Sequence, residues 1–250
     1  MYAHRLSSRG GVLAAALGLV CATASDDVTI SRIGYTYYAD QYGVVCDGST
    51  ENNAALNALT AVIMSTSNKA GTIVLPAGTC RWSGQWLVGT TSTGGSDIGH
   101  ISITGTGPYS TLLEWTGLGG GASGTPALYI SRNKEFTLHG LSLRNATIGA
   151  SSYDASGNVG IRFGGVASGG TQTFGFIASQ IQVSNFDKCV HLGNNDGSAA
   201  SDGTFDELQL NYCNDGLTTF GSANTLDINP GTRLIRRTRN VRTTDSSDAA

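Results

Sequence analysis

Three short stretches of this 250-residue chain repeat one another: Leu141-Ser142-Leu143, Ile181-Gln182-Val183 and Leu208-Gln209-Leu210 all read apolar, polar, apolar. Each is followed, after a turn, by a second apolar stretch: Gly160-Ile161-Arg162-Phe163, Cys189-Val190-His191-Leu192 and Gly216-Leu217-Thr218-Thr219. The interval is 29 residues from Gly160 to Cys189 and 27 from Cys189 to Gly216. A unit of that length with short strands cannot bury its own apolar face, so it has to stack on its neighbours. The predicted fold is therefore all-β, a right-handed parallel β-helix (solenoid) with one N-terminal capping α-helix. Leu141/Ile181/Leu208, Leu143/Val183/Leu210 and Ile161/Val190/Leu217 form its inward columns. Alternation sends Ser142, Gln182 and Gln209 outward, and Arg162, His191 and Thr218 with them as a second polar column.

Composition agrees. Only 13% of residues are charged and 35 are Gly, which excludes a solvated helical bundle or a coiled coil. Coil corners at Gly140, Asn145, Gly160, Asn185 and Gly216 account for part of that glycine and asparagine. The capping helix is expected near residues 50–65. Thr50 is its candidate cap and Glu51 falls in its first turn, while Ala55, Leu56, Leu59, Val62 and Ile63 form its apolar stripe.

The two ends differ from the body. His4, Arg5 and Arg9 precede an apolar run, Gly11 to Val20, and then Ala22-Thr23-Ala24, so residues 1–24 read as a signal peptide cleaved before Ser25. The expected location is outside the cell, and no later stretch is long and apolar enough to span a membrane. Residues 25–232 form the β-helix domain. They hold 8 basic and 16 acidic residues, a balance that argues against nucleic acid as partner. Residues 233–250 are expected to be a disordered or truncated tail, with Arg233, Arg236, Arg237, Arg239 and Arg242 concentrated in it. Cys46, Cys80, Cys189 and Cys213 would remain after export, and the sequence is compatible with two disulfides or with four thiols. Asn145-Ala146-Thr147 is a glycosylation sequon.

The opening of the domain resembles a known superfamily. Tyr42-Gly43-Val44-Val45-Cys46-Asp47-Gly48-Ser49-Thr50-Glu51-Asn52-Asn53-Ala54-Ala55-Leu56, then Gly71-Thr72-Ile73-Val74-Leu75-Pro76-Ala77-Gly78, then Ile103-Thr104-Gly105-Thr106-Gly107 with Thr111-Leu112-Leu113, is similar to the start of pectate-lyase-like proteins. The rhamnogalacturonase- or epimerase-like branch, also found in phage tailspikes, opens this way. Glu51 and Asn52 stand where that opening has paired aspartates. The resemblance implies a secreted or virion-associated protein that binds and cleaves an acidic or bacterial polysaccharide, as a hydrolase or a lyase. It equally admits a non-catalytic sugar-binding or tailspike-like protein, assembled as a homotrimer, or an inactive fragment of a longer enzyme. A lyase would bring Ca2+; no other cofactor and no metal site are expected.

Two groups of residues carry candidate chemistry. Asp196, Asp202, Asp206 and Glu207 lie in or beside the stretch between Leu192 and Leu208, read as a projecting turn, and are the candidate catalytic carboxylates. Asp187, one coil earlier, is a candidate for substrate binding and, on geometry, for pairing with Asp206. Arg162 and His191, at matched outward positions, are candidates for binding a uronate and moving a proton. Trp82, Trp86 and Trp115 read either as sugar platforms or as core.

Overall fold

The computed structural model describes residues 35–90, 98–117, 125–164, 173–193, 200–220, 226–229, 233–235 and 239–244. The signal-peptide segment, Asp196, Arg236 and Arg237 lie outside these residues.

Alternating short strands pair in parallel from one repeat to the next. After β1 (Tyr35–Tyr38), a 3-10 turn (Ala39–Tyr42), β2 (Asp47–Glu51) and helix α1 (Asn53–Ser65), the chain runs through successive coils. The first has β3 (Gly71–Val74), β4 (Gly78–Trp82) and β5 (Trp86–Gly89). The second has β6 (Ile101–Thr104), β7 (Thr111–Trp115) and β8 (Pro126–Ser131). In the third, β9 (Thr137–Asn145) replaces two strands: its start pairs with β6 and its end with β7, and β10 (Val159–Gly164) follows. The fourth has β11 (Thr173–Phe174), β12 (Ile177–Ser184) and β13 (Lys188–Leu192). The fifth has β14 (Ala200–Ser201), β15 (Gly203–Asn211) and β16 (Asp215–Phe220). β17 (Leu226–Ile228), β18 (Arg233–Ile235) and β19 (Arg239–Thr244) make another, pairing with β15 and β16. The Arg-rich segment expected as a tail thus contributes strands that continue the stack, because its backbone finds partners on the preceding coil whatever its charge.

The inward columns fall where alternation places them. Leu141, Ile181 and Leu208 are in register, as are Leu143, Val183 and Leu210, and on the other sheet Ile161, Val190 and Leu217; all are buried. Phe136, Phe163, Phe176 and Phe205 fill the space between sheets, with Phe163 and Phe176 stacked 4.3 Å apart. The fused strands bend at one residue each: Gly140 (φ 67°), Gln180 (φ 54°) and Glu207 (φ 53°) occupy successive coils in left-handed conformation. Each bend resets the inward phase, so Leu138, Ala178 and Phe205 point in before it and Leu141, Ile181 and Leu208 after it. All three tryptophans are core. Trp82, Trp86 and Trp115 are buried, and Trp86 Nε1 donates to Thr60 Oγ1 at 2.9 Å.

Helix α1 covers the first coil through Leu56, Leu59, Thr60 and Ile63, while Val62, expected in the stripe, is exposed. Thr50 does not cap it. Thr50 donates its amide and hydroxyl to Asp47, and Glu51 Oε1 instead accepts from Asn53 N at 3.0 Å and Ser83 N at 2.8 Å. Asn52 is fully buried. Its Nδ2 donates to Val45, Thr50 and Arg81 carbonyls at 2.9 Å each, and its Oδ1 accepts from Val45 N. The Glu51-Asn52 departure from paired aspartates therefore has a structural use. A carboxylate at 52 could not donate to those carbonyls.

Disulfides join Cys46 to Cys80 and Cys189 to Cys213. The sequon is closed to modification in the folded chain. Asn145 is buried, its Nδ2 donates to Asp154, and its Oδ1 accepts from Thr147 N and Oγ1. No described helix is long and apolar enough to cross a membrane.

Candidate functional site

The outer faces of β7, β9, β12 and β15 line a shallow groove. Past the left-handed bend, alternation turns Ser142, Gln182 and Gln209 outward in one register and Glu114, Arg144, Ser184 and Asn211 in the next. Pro108 and Tyr109, from the segment before β7, form one wall, and Asn185 and Tyr212 close the opposite corner around a cavity of about 340 Å³. Tyr109 is 82% exposed, and its hydroxyl lies 3.5 Å from Gln209 Oε1. Ser142 Oγ donates to Pro108 O and sits 3.2 Å from Gln182 Oε1. At the groove edge Arg144 forms an ion pair with Glu114.

The groove continues past Tyr212. A second cavity of about 330 Å³ lies between Tyr212 and the segment carrying Ser151, Ser152, Tyr153 and Ala155. That segment is fixed from below. Asn185 Nδ2 donates to Gly149 O and Ser152 O, and Asp154 accepts from Asn145, Ser156 and Asn158. Tyr212 itself has φ 52°, one coil beyond Asn185 at φ 68°, so a corner backbone bend aims its ring between the two cavities. The result is a strip of hydroxyls and amides flanked by tyrosine rings, surfaces suited to sugar hydroxyls and sugar faces respectively.

Before the bend, a different outer column aligns Thr104, His139, Ser179 and Asp206 on successive coils. His139 Nδ1 and Ser179 Oγ are 2.8 Å apart. Asp206 therefore belongs to strand β15 rather than to a projecting turn. Glu207 is the exposed bend residue beside it, and Asp202 is an exposed left-handed corner (φ 53°). Asp187 is not Asp206's partner. It sits at the corner before β13, where its Oδ1 accepts from Asn214 Nδ2 at 2.9 Å, while Asp206 is in register with Ser179.

Arg162 and His191 are adjacent in register, as alternation requires, but they lie on β10 and β13, in the other sheet from the groove. His191 is also buried, with Nδ1 2.7 Å from Thr218 Oγ1. Burial first, then the Arg162 and Lys188 charges, push its imidazole down to about 3, so it stays neutral near pH 7. The Arg162 guanidinium rests 6.0 Å from the Tyr129 ring centre. Among the described residues no cluster of three or more His, Cys, Asp or Glu is placed to hold a metal ion.

Sequence reasoning missed Tyr109, Arg144, Tyr212 and His139. Arg144 and His139 had a readable signal, since Arg144, Ser184 and Asn211 each follow an inward residue by one, and His139, Ser179 and Asp206 each precede one by two. The tyrosines lie in connections and have none.

No protein-family model matches the chain, and no curated protein matches it in sequence. Solved structures do match. An iota-carrageenase complexed to iota-carrageenan fragments aligns with a TM-score of 0.55 at 13% identity, over 77% of this chain and 40% of that one. The catalytic domain of Agl-KA aligns with a TM-score of 0.51 at 15% identity, over 77% of this chain and 37% of its own. The A-module of mannuronan C-5 epimerase AlgE4 from Azotobacter vinelandii gives 0.49 at 14% identity, over 78% and 55%. The likeness is one of fold. This chain spans 40%, 37% and 55% of the lengths of those proteins. The stacked parallel coils thus share their fold with the iota-carrageenase and the Agl-KA catalytic domain.

Proposed function

We propose that the chain is a polysaccharide-binding protein of the right-handed β-helix, pectate-lyase-like kind, and that the groove over β7, β9, β12 and β15 holds the sugar chain. The observation that carries the reading is the pairing of Tyr109 and Tyr212 with the hydroxyl and amide strip of Ser142, Gln182, Ser184 and Asn211. Two cavities that share Tyr212 support a ligand larger than a single small molecule. The iota-carrageenase of similar fold was solved with fragments of a polysaccharide, which supports the same class of ligand. Two disulfides support an oxidising location, in line with export. The rhamnogalacturonase- or epimerase-like branch, and assembly as a trimer, belong to this reading as well, and sedimentation tests the latter. Titration of the purified protein against a panel of oligosaccharides tests binding. Tyr109→Ala and Tyr212→Ala should each weaken it by about tenfold, or about 1.4 kcal/mol. Unchanged affinity in both variants would remove the groove from consideration.

A second reading, cleavage, rests on the His139–Ser179–Asp206 column. Asp206 and His139 are two coils apart, roughly 9.6 Å at 4.8 Å per coil, close to the spacing of an acid and a base that act across a water. In hydrolysis one of them would protonate the leaving oxygen while the other activates water. The expected result is new reducing ends from a polysaccharide panel, reduced at least ~100-fold in Asp206→Ala and in His139→Ala. New ultraviolet absorbance from an unsaturated product would mean elimination instead. Full activity in both variants would dismiss the column.

A further inference from the structure

An acidic polysaccharide needs cations, and the groove has one among its described lining residues, Arg144. That cation is already engaged. Arg144 and Glu114 are register partners on β9 and β7, and Arg144 Nη2 donates to Glu114 Oε2. The Glu114 side chain is only 14% exposed and that of Arg144 is 42% exposed, so the carboxylate is the more buried member of the pair. Arg144 Nε is enclosed and has no hydrogen-bond partner among the described residues, so only the terminal Nη groups, one of them held by Glu114, can meet a ligand. A uronate or sulfate would have to share the guanidinium with a carboxylate tethered one strand away on the same sheet, whose charge offsets that of Arg144.

Resting on the groove reading above, we propose that the groove selects an uncharged, hydroxyl-rich glycan, and that Glu114 is the residue that sets this preference by neutralising Arg144. Recognition then falls to groups that pair with neutral hydroxyls: Ser142, Gln182, Ser184 and Asn211, with Tyr109 and Tyr212 against the sugar faces. This revises the expectation of an acidic substrate implied by the opening motifs. Glu114 acts through Arg144 and is a positioning residue, not a catalytic one.

The test compares binding at low salt of neutral hexasaccharides (cello-, xylo-, manno- and galacto-series) with hexagalacturonate and hexamannuronate, by calorimetric titration. The wild-type chain should bind at least one neutral series and prefer it to both acidic ones. Glu114→Gln keeps the shape and removes the charge, and should raise affinity for the acidic hexamers by about tenfold, the value of one charge-assisted hydrogen bond, with neutral affinity unchanged. Adding Arg144→Gln to that variant should abolish the gain. Circular dichroism establishes that both variants are folded. Wild-type preference for an acidic hexamer would overturn the proposal and leave the groove reading standing. A folded Glu114→Gln with no gain would overturn the masking role of Glu114. Binding of no oligosaccharide at all by the wild type would overturn the groove reading and this proposal with it.

Discussion

Alanine at Gly89 should destabilise the fold by about 4 kcal/mol or more, with an early and sharply lowered urea midpoint. Gly89 closes β5 opposite Ser131 of β8 with φ 126°, a conformation that side chains rarely adopt. A Cβ there would lie 1.9 Å from Ser131 O and 2.9 Å from its carbonyl carbon. The obstacle is backbone, and it is tied on several sides. Asn133, fully buried, donates Nδ2 to Ser131 O and to Val88 O, and Ser131 Oγ donates to Thr90 O. Relief would require separating two coils. Gly149→Ala is the matched control, since an added Cβ meets nothing within 4 Å there, and it should stay within about 0.5 kcal/mol of the wild type. A Gly89→Ala protein with a wild-type melting curve would show that this corner yields.

Opening the Cys189–Cys213 bridge should cost about 3 kcal/mol. The bond closes a loop with a sequence separation of 24 between consecutive coils, and in the chain-entropy account a loop of that order restricts the unfolded chain by roughly that amount. The Cys189→Ala/Cys213→Ala chain should therefore unfold at lower urea than the wild type. Reductant should shift the wild type further, because it also opens Cys46–Cys80, with a separation of 34, and should still shift the double variant through that remaining bond. Equal midpoints with and without reductant would mean that the bridges do not form in solution, and would withdraw their support for an oxidising location.

The stack of coils was legible in the sequence because each coil repeats the same inward residues. Three columns read from apolar alternation, through Leu141, Leu143 and Ile161, are in register on successive strands. The candidate site was less legible, for physical reasons. The bends at Gln180 and Glu207 are left-handed without glycine, so nothing in residue type announces that the inward phase resets. Residue type alone therefore puts Asp206 in or beside a turn and leaves its register neighbours Ser179 and His139 unmarked. Alternation gives His191 the opposite phase to Val190 and Leu192, but it reports only direction. Burial of Tyr129, His191 and Thr218 on that face depends on packing beyond the strand. The pairing of Arg144 with Glu114 joins residues 30 apart in sequence and becomes visible only once β7 and β9 are neighbours.

The fused strands β9, β12 and β15 give the groove a unit of measure. Each coil supplies one rung of outward side chains, about 4.8 Å from the next, and meets only the coils above and below it. Duplicating one coil would lengthen the surface by a rung while leaving every existing rung in place. On the proposed reading, the number of sugar units held in the groove would follow the number of coils that it spans.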